Sequence, residues 1–302
     1  MTEPQQAVVT ATYGHRMQLR LISGGDTVSA RIKGRELRPV CGDRVLAKAI
    51  DNEPDWLIVD ILPRSNELTR PNQRGKTEIL AANLDFIAVA CAAAPRPDWY
   101  IVDRYLCAAE LMRLPSAVVF NKADLGTLDP EAEAELAVYR ALNYDAIVCS
   151  ARTALNLDRL EALLEGRVAI IVGQSGVGKS SLINAITRSE QRTASVSAGR
   201  GGEGRHTTVN SVMLAQALGG YIVDSPGVRD YAPAIANVAE VEFGFREIHS
   251  HGVNCRFANC RHRREPGCAV KAALESGDIS ERRFESYRRM LLLTEQQGRG
   301  RY

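Results

Sequence analysis

Two textures of apolar and polar positions succeed each other along the chain. Residues 1 to about 70 read as short strand-like segments broken by turn residues. "AVVTATYGHRMQLRLI" is cut by "SGGD", and "VSARIKG", "DRVLAKAI" and "WLIVDIL" follow. Strands of this length, punctuated by Gly and Asp, predict a small closed barrel or sandwich. The stretch "LPRSNELTRPNQRGKTEI" is polar, carries two prolines and three arginines, and reads as a linker or flexible loop. From about residue 79 apolar strands alternate with helical patterns. "LDFIAVACAA", "PSAVVFNKAD", "DAIVCSA", "VAIIVG" and "GGYIVDSPG" are strand-like. "WYIVDRYLCAAELMRL", "PEAEAELAVYRALNY", "LDRLEALLEG" and "SLINAIT" carry helical spacing. Such alternation predicts a parallel sheet covered on both faces. Beyond about 233 the strand signal stops and helices are expected. The pattern therefore divides the chain at 1–70, 71–232 and 233–302.

Composition changes this picture little. The 302 residues are 45% hydrophobic and 25% charged, as in an ordinary globular protein. No apolar run reaches the roughly 18 residues of a membrane span, and no secretory leader is visible, which points to the cytoplasm. The net charge of +2 conceals an asymmetry. Residues 252–302 carry eleven Lys/Arg against six Asp/Glu, whereas 76–251 carry sixteen against twenty-one. A basic end on an acidic middle suits a polyanionic partner or a solvated helix. Cys41, Cys91, Cys107 and Cys149 are isolated in apolar stretches and read as buried thiols. Cys255, Cys260 and Cys268 cluster with His262 within fourteen residues. Three thiolates and an imidazole form a closed tetrahedral set for one structural zinc. Nearby His249 and His251 read as packing or capping residues.

"GQSGVGKSS" supplies the phosphate chemistry. Gly173, Gln174, Ser175, Gly176, Val177, Gly178, Lys179 and Ser180 fit G-x-x-x-x-G-K-[ST], and Ser181 follows, between a strand and a helix. Glycines let backbone N–H groups turn onto phosphates, Lys179 can reach the β- and γ-phosphates, and Ser180 can ligate Mg²⁺. Asp224, ending the strand of "YIVDSPG", can hold Mg²⁺ through water, and the Gly227 N–H can sense the γ-phosphate. Between them "SAGRGGEGRHTTVN" reads as a switch segment. Thr208, or else Thr207, closes on Mg²⁺ in this reading, and His206 positions water.

"NKAD" (Asn121, Lys122, Ala123, Asp124) also ends a strand. The Asp124 carboxylate can accept from guanine N1–H and N2–H₂, a donor pair adenine lacks. Lys122 can lie over the base and Asn121 can brace the loops. "VCSAR", also at a strand end, resembles at Ser150 and Ala151 the loop that offers a backbone N–H to the guanine oxygen. NKAD, however, precedes the phosphate loop, the reverse of the usual GTPase order.

That order resembles the circularly permuted GTPases. With a β-rich start and C-x4-C-x-H-x5-C near the end, the whole chain is similar to the ribosome small-subunit-dependent GTPase A (RsgA/YjeQ) family. The resemblance implies an OB-fold barrel, a permuted GTPase domain and a mainly helical zinc domain. It also implies GTP hydrolysis to GDP, stimulated by the small ribosomal subunit late in its maturation. Mg²⁺ with the nucleotide, contacts to rRNA, a monomer and no membrane partner are implied as well. The arginines around the cluster (Arg256, Arg261, Arg263, Arg264) and in "ERRFESYRRM" are candidate phosphate contacts. One departure stands out. Ras-type GTPases place Gln after D-x-x-G, and Val228 stands here, so slow unassisted turnover is expected. Other classes consistent with parts of the sequence are an ATPase or kinase, and a zinc-stabilised RNA-binding module.

Overall fold

The computed structural model describes residues 3–34, 36–71, 77–187, 209–225, 235 and 237–299. Alternating inward apolar residues shape its first element group: β1 (Gln5–Tyr13), β2 (Arg16–Leu21), β3 (Thr27–Ile32), β4 (Arg44–Ala49) and β5 (Trp56–Ile61). β1 pairs with β2, β2 with β3, β3 in parallel with β5, β5 with β4, and β4 back with β1, which closes a five-stranded barrel. Ala7, Val9, Leu19, Ala30, Val45, Ala47 and Ile58 fill it and are fully buried. This is the barrel expected of an OB-fold.

The polar stretch read as a linker is instead a ribbon of β6 (Glu67–Pro71) and β7 (Thr77–Ala82), paired antiparallel. Two features stabilise it. Leu68, Leu80 and Ala81 are buried in the same core as β8. Side-chain amides also supply hydrogen bonds that periodicity does not reveal: Asn66 exchanges a pair with the Leu84 backbone at 2.8 and 3.0 Å, and Asn83 Nδ2 donates to Gly42 O at 2.9 Å.

The alternating region forms β8 (Phe86–Ala92), α1 (Trp99–Leu111), β9 (Ser116–Asn121), α2 (Pro130–Ala141), β10 (Asp145–Val148), α3 (Leu157–Leu164), β11 (Val168–Gly173), α4 (Lys179–Thr187), β12 (Val209–Ala215) and β13 (Tyr221–Asp224). The order is β10-β9-β8-β11-β13-β12, parallel except for β12. Buried residues of α1 and α2 cover one face, and those of α3 and α4 the other. β12 also pairs antiparallel with β1, through Ala11–Val212 and Thr12–Ser211, so the barrel continues the sheet.

The remainder is helical, as expected: a 3-10 turn (Val238–Gly244), then α5 (Arg246–Gly252), α6 (Ala269–Ser276) and α7 (Glu281–Arg299). These elements share a core with Cys107 of α1. Gly244 is required at that contact, because a Cβ there would lie 2.2 Å from the Cys107 sulfur. All four isolated cysteines are buried, and burial pushes the Cys41 and Cys107 thiols up to about 12.

Two arginines of "ERRFESYRRM" turn inward to carboxylates, Arg283 fully buried and Arg282 partly so. Arg283 is fully buried and binds Asp103 at 2.6 Å and Glu247 at 2.6 and 2.9 Å. Arg282 binds the other Asp103 oxygen at 2.5 Å and pairs with Glu135 at 2.6 Å. The expectation of phosphate contacts fails for this pair. Two buried carboxylates and a third, half-buried one demand cations inside, where an exposed arginine would leave them uncompensated.

Candidate functional site

Parallel strands deliver their following loops to one edge of a sheet, and three of the loops singled out in the sequence, with the end of a fourth strand, lie at that edge. NKAD follows β9, the Ser150–Arg152 turn follows β10, the glycine loop follows β11, and Asp224 ends β13. Asn121 is the tie among three of them. Its side chain is buried, its Nδ2 donates to Val177 O at 3.0 Å, and its Oδ1 accepts from the Ala151 N–H at 3.0 Å. Lys122, at φ 67°, sends Nζ to Ala94 O and Gly176 O at 2.6 and 2.7 Å. The Ser150 hydroxyl donates to Asp124 Oδ1 at 2.6 Å while accepting from the Arg152 and Thr153 N–H groups. That hydroxyl, aided by Arg152 and Lys122, holds the Asp124 carboxyl below its ordinary range. The carboxylate is therefore an ionised acceptor at neutral pH.

The glycine loop needs its glycines for contact as well as conformation. Gly178, at φ 92°, would carry a Cβ 2.4 Å from Asn121 Nδ2, and Gly173, at φ 133°, one 2.0 Å from Ala90 O. Lys179 starts α4, and its Nζ donates to Gly173 O and Gln174 O at 2.8 and 2.7 Å, which holds the ammonium across the loop. Gln174 Oε1 accepts from the Asp98 N–H at 3.3 Å. A glycine-rich loop, a lysine and a helix N-terminus can bind a polyphosphate, and Asp124 can read a base with two adjacent donors. The Ala151 N–H donates to Asn121, so the turn's role is partly structural.

The second constellation lies among the C-terminal helices. The donor atoms of Cys255, Cys260, His262 and Cys268 all lie within 4.8 Å of one another. Tetrahedral zinc with Zn–S bonds of about 2.3 Å places sulfurs roughly 3.8 Å apart. Cys255 and Cys268 sulfurs are 3.8 Å apart, and His262 Nδ1 is 3.5 and 3.3 Å from them. The donor set and its spacing therefore fit zinc. Burial raises the Cys255 thiol, but the Val270 and Ala269 N–H groups at the start of α6 outweigh it and bring it below its ordinary value. His249 stands outside the cluster, its ring 4.7 Å from that of Phe243.

A family model described as RsgA GTPase matches residues 61–233. The chain belongs to the RsgA GTPase family. It is accordingly a GTP hydrolase. A relative from Pseudomonas fluorescens Pf-5, "Small ribosomal subunit biogenesis GTPase RsgA", is 38% identical over 294 residues, 95% of this chain and 85% of its own. YjeQ of Thermotoga maritima superposes with a TM-score of 0.75 at 28% identity, over 96% of this chain and 98% of that one. YloQ, described as a circularly permuted GTPase, shares the fold with a TM-score of 0.73 over 97% and 96% of the two chains. The strand order accounts for the permutation: cutting and rejoining the chain leaves every loop at the same sheet edge.

Several features of this RsgA GTPase escape sequence reading. Asp103 falls on the stripe Trp99, Val102, Asp103, Leu106 of α1, and a carboxylate at an apolar position was its available signal. Glu265, between His262 and Cys268, accepts from the Arg261, Arg263 and Arg264 N–H groups at 3.0, 2.7 and 2.9 Å and braces the ligand loop. Glu242, beside the outer nitrogen of His262, had no sequence signal. His206, Thr207, Thr208, Gly227 and Val228 lie outside the described residues.

Proposed function

We propose that this RsgA GTPase binds GTP and GDP with Mg²⁺ and assists late maturation of the small ribosomal subunit, which stimulates its hydrolysis. The observation that carries the reading is the Asn121 tie. One buried amide joins the guanine-reading loop, the Ser150–Arg152 turn and the phosphate loop, so base recognition and phosphate binding share one frame. The assignment to ribosome biogenesis rests on the printed names of relatives such as that from Pseudomonas fluorescens.

In this reading Asp124 accepts from the guanine edge, Lys122 flanks the base, and N–H groups of residues 174–181 surround the phosphates. Lys179 leaves its two loop carbonyls for the β- and γ-phosphates. Ser180 and Asp224 hold Mg²⁺, directly and through water. Mg²⁺ supplies charge neutralisation between the β- and γ-phosphates. Thr208, His206 and Gly227 complete the site from sequence alone, and with Val228 in place of Gln the attacking water is positioned from elsewhere or by the subunit. The barrel at 1–70 and the helical part at 233–302 flank the GTPase domain at 71–232. Zinc in the Cys255, Cys260, His262, Cys268 cluster is structural, since four protein ligands leave no open position. Among the described residues no helix is long and apolar enough to cross a membrane. We place the protein in the cytoplasm as a monomer with rRNA contacts.

Phosphate release from GTP, with and without purified small subunits, tests the proposal. Slow turnover that rises with subunits, and falls on the order of 100-fold in Lys179→Ala, is expected. Absence of stimulated, Lys179-dependent turnover removes it.

A further inference from the structure

His262 presents two different nitrogens to two different surroundings. Nδ1 faces the sulfurs of Cys255 and Cys268 at 3.5 and 3.3 Å. A neutral imidazole that ligates through Nδ1 carries its proton on Nε2. That Nε2 is buried, with its residue 1% exposed, and has no hydrogen-bond partner among the described residues. The carboxylate facing it is Glu242, whose Oε2 stands 3.5 Å away. The other oxygen of Glu242 is 3.5 Å from His249 Nδ1.

The fold builds room for this carboxylate. A Cβ on Gly252, at the end of α5, would lie 2.3 Å from Glu242 Oε1 and 3.6 Å from His262 Cε1. Glu242 also sits on the 3-10 turn whose Gly244 is pressed on Cys107 of α1. The residue facing the outer nitrogen of His262 is thus anchored to the GTPase sheet's own helix rather than to the ligand loop.

Resting on the zinc reading above, we infer that Glu242 is a positioning residue of the metal centre: its carboxylate accepts the Nε2 proton of His262, fixes the imidazole with Nδ1 toward the metal, and joins the metal centre to the 3-10 turn on α1. The distance of 3.5 Å closes to a hydrogen bond with a shift of about half an ångström, and a carboxylate behind a ligating imidazole raises the ligand's basicity. His249 shares the carboxylate without facing the sulfurs, and serves as the control.

The experiment uses the full chain loaded with zinc. Metal content is measured by atomic emission, and zinc release is followed with a chromogenic chelator. Loss of such an outer partner reduces metal affinity by about 10–100-fold. Glu242→Ala is therefore expected to release zinc about 10–100-fold faster than wild type. Glu242→Gln, whose amide oxygen still accepts from Nε2–H, should recover much of that loss, and His249→Ala should release near the wild-type rate. In ¹⁵N spectra of the zinc-loaded wild type, His262 should show a proton on Nε2 and none on Nδ1. Release from Glu242→Ala and Glu242→Gln at the wild-type rate overturns the inference, while leaving the zinc reading intact. Equal acceleration in His249→Ala also overturns it, since packing of the turn would then be responsible. A wild-type chain that holds no zinc removes both the zinc reading and this inference.

Discussion

Asp124 and Glu265 illustrate how single carboxylates are committed to single tasks. The Ser150 hydroxyl is the main influence holding the Asp124 carboxyl below its ordinary range, and both its oxygens remain acceptors. Asn at 124 would offer a donor where guanine offers donors, but would match xanthine, which carries an oxygen at that edge. Asp124→Asn should weaken GDP binding on the order of 100-fold and favour XDP, read by competition against a fluorescent nucleotide. Unchanged GDP preference would deny Asp124 its role. Glu265 acts on the backbone instead. Burial opposes its charge, yet N–H groups of Arg261, Arg263 and Arg264, with its own, bring its pKa down to about 2 from 4.5. A depressed folded-state pKa means stability present above about 4.5 and lost as pH falls toward about 2. Wild type should therefore melt above Glu265→Gln at neutral pH, and the gap should close over that interval in parallel thermal scans.

Between elements, the internal ion cluster decides how α7 sits on α1 and α2. Burial raises Asp103, and Arg283 and Arg282 outweigh it and leave it ionised. Arg283 itself lies well above its ordinary value, because Asp103 and Glu247 overcome burial. Removing one partner of such a cluster strands buried charge. Arg283→Met should cost about 3–5 kcal/mol in urea unfolding, whereas Arg288→Ala should cost less than about 1 kcal/mol. The Arg288 pair with Glu285 is exposed on both sides. Equal effects would show that the burial is energetically idle. The same contrast explains what was legible in advance. Periodicity separated the barrel strands, the alternating sheet and the helical end, because apolar spacing reports burial directly. The glycine loop, NKAD and the Cys/His cluster were legible because their chemistry requires fixed spacing. The β6–β7 ribbon was missed, since Asn66 and Asn83 side chains hold ends that look like loop in sequence. Arg282 and Arg283 differ from solvated arginines in nothing local; the carboxylate they share, Asp103, is about 180 residues away.

At the scale of the molecule, the barrel and the C-terminal helices are joined to the GTPase sheet in different ways. The barrel meets the GTPase sheet through backbone pairing of β1 with β12. The C-terminal helices meet it through side chains: Cys107 lies in their core, and Glu242 stands between His262 and the turn that presses on Cys107. On the zinc reading proposed above, metal binding would be folding energy for the loop carrying Cys255, Cys260, His262 and Cys268, so a chelator should unfold that loop first. The consequence should then travel unequally. With the ligands released, α5, α6 and the 3-10 turn lose their shared core, and the Cys107 side of α1 loses its cover. Amides of the barrel strands have no such dependence. Hydrogen exchange on the full chain, before and after chelation, should show faster exchange in residues 237–280 and in α1, with β1–β5 unchanged. Faster exchange in the barrel as well would mean that the three parts unfold as one cooperative unit. Unchanged α1 would mean that the helical end is merely tethered to the GTPase sheet. Exchange confined to the cluster and α1 would identify the turn carrying Glu242 as the mechanical link between the metal centre and the nucleotide-binding sheet.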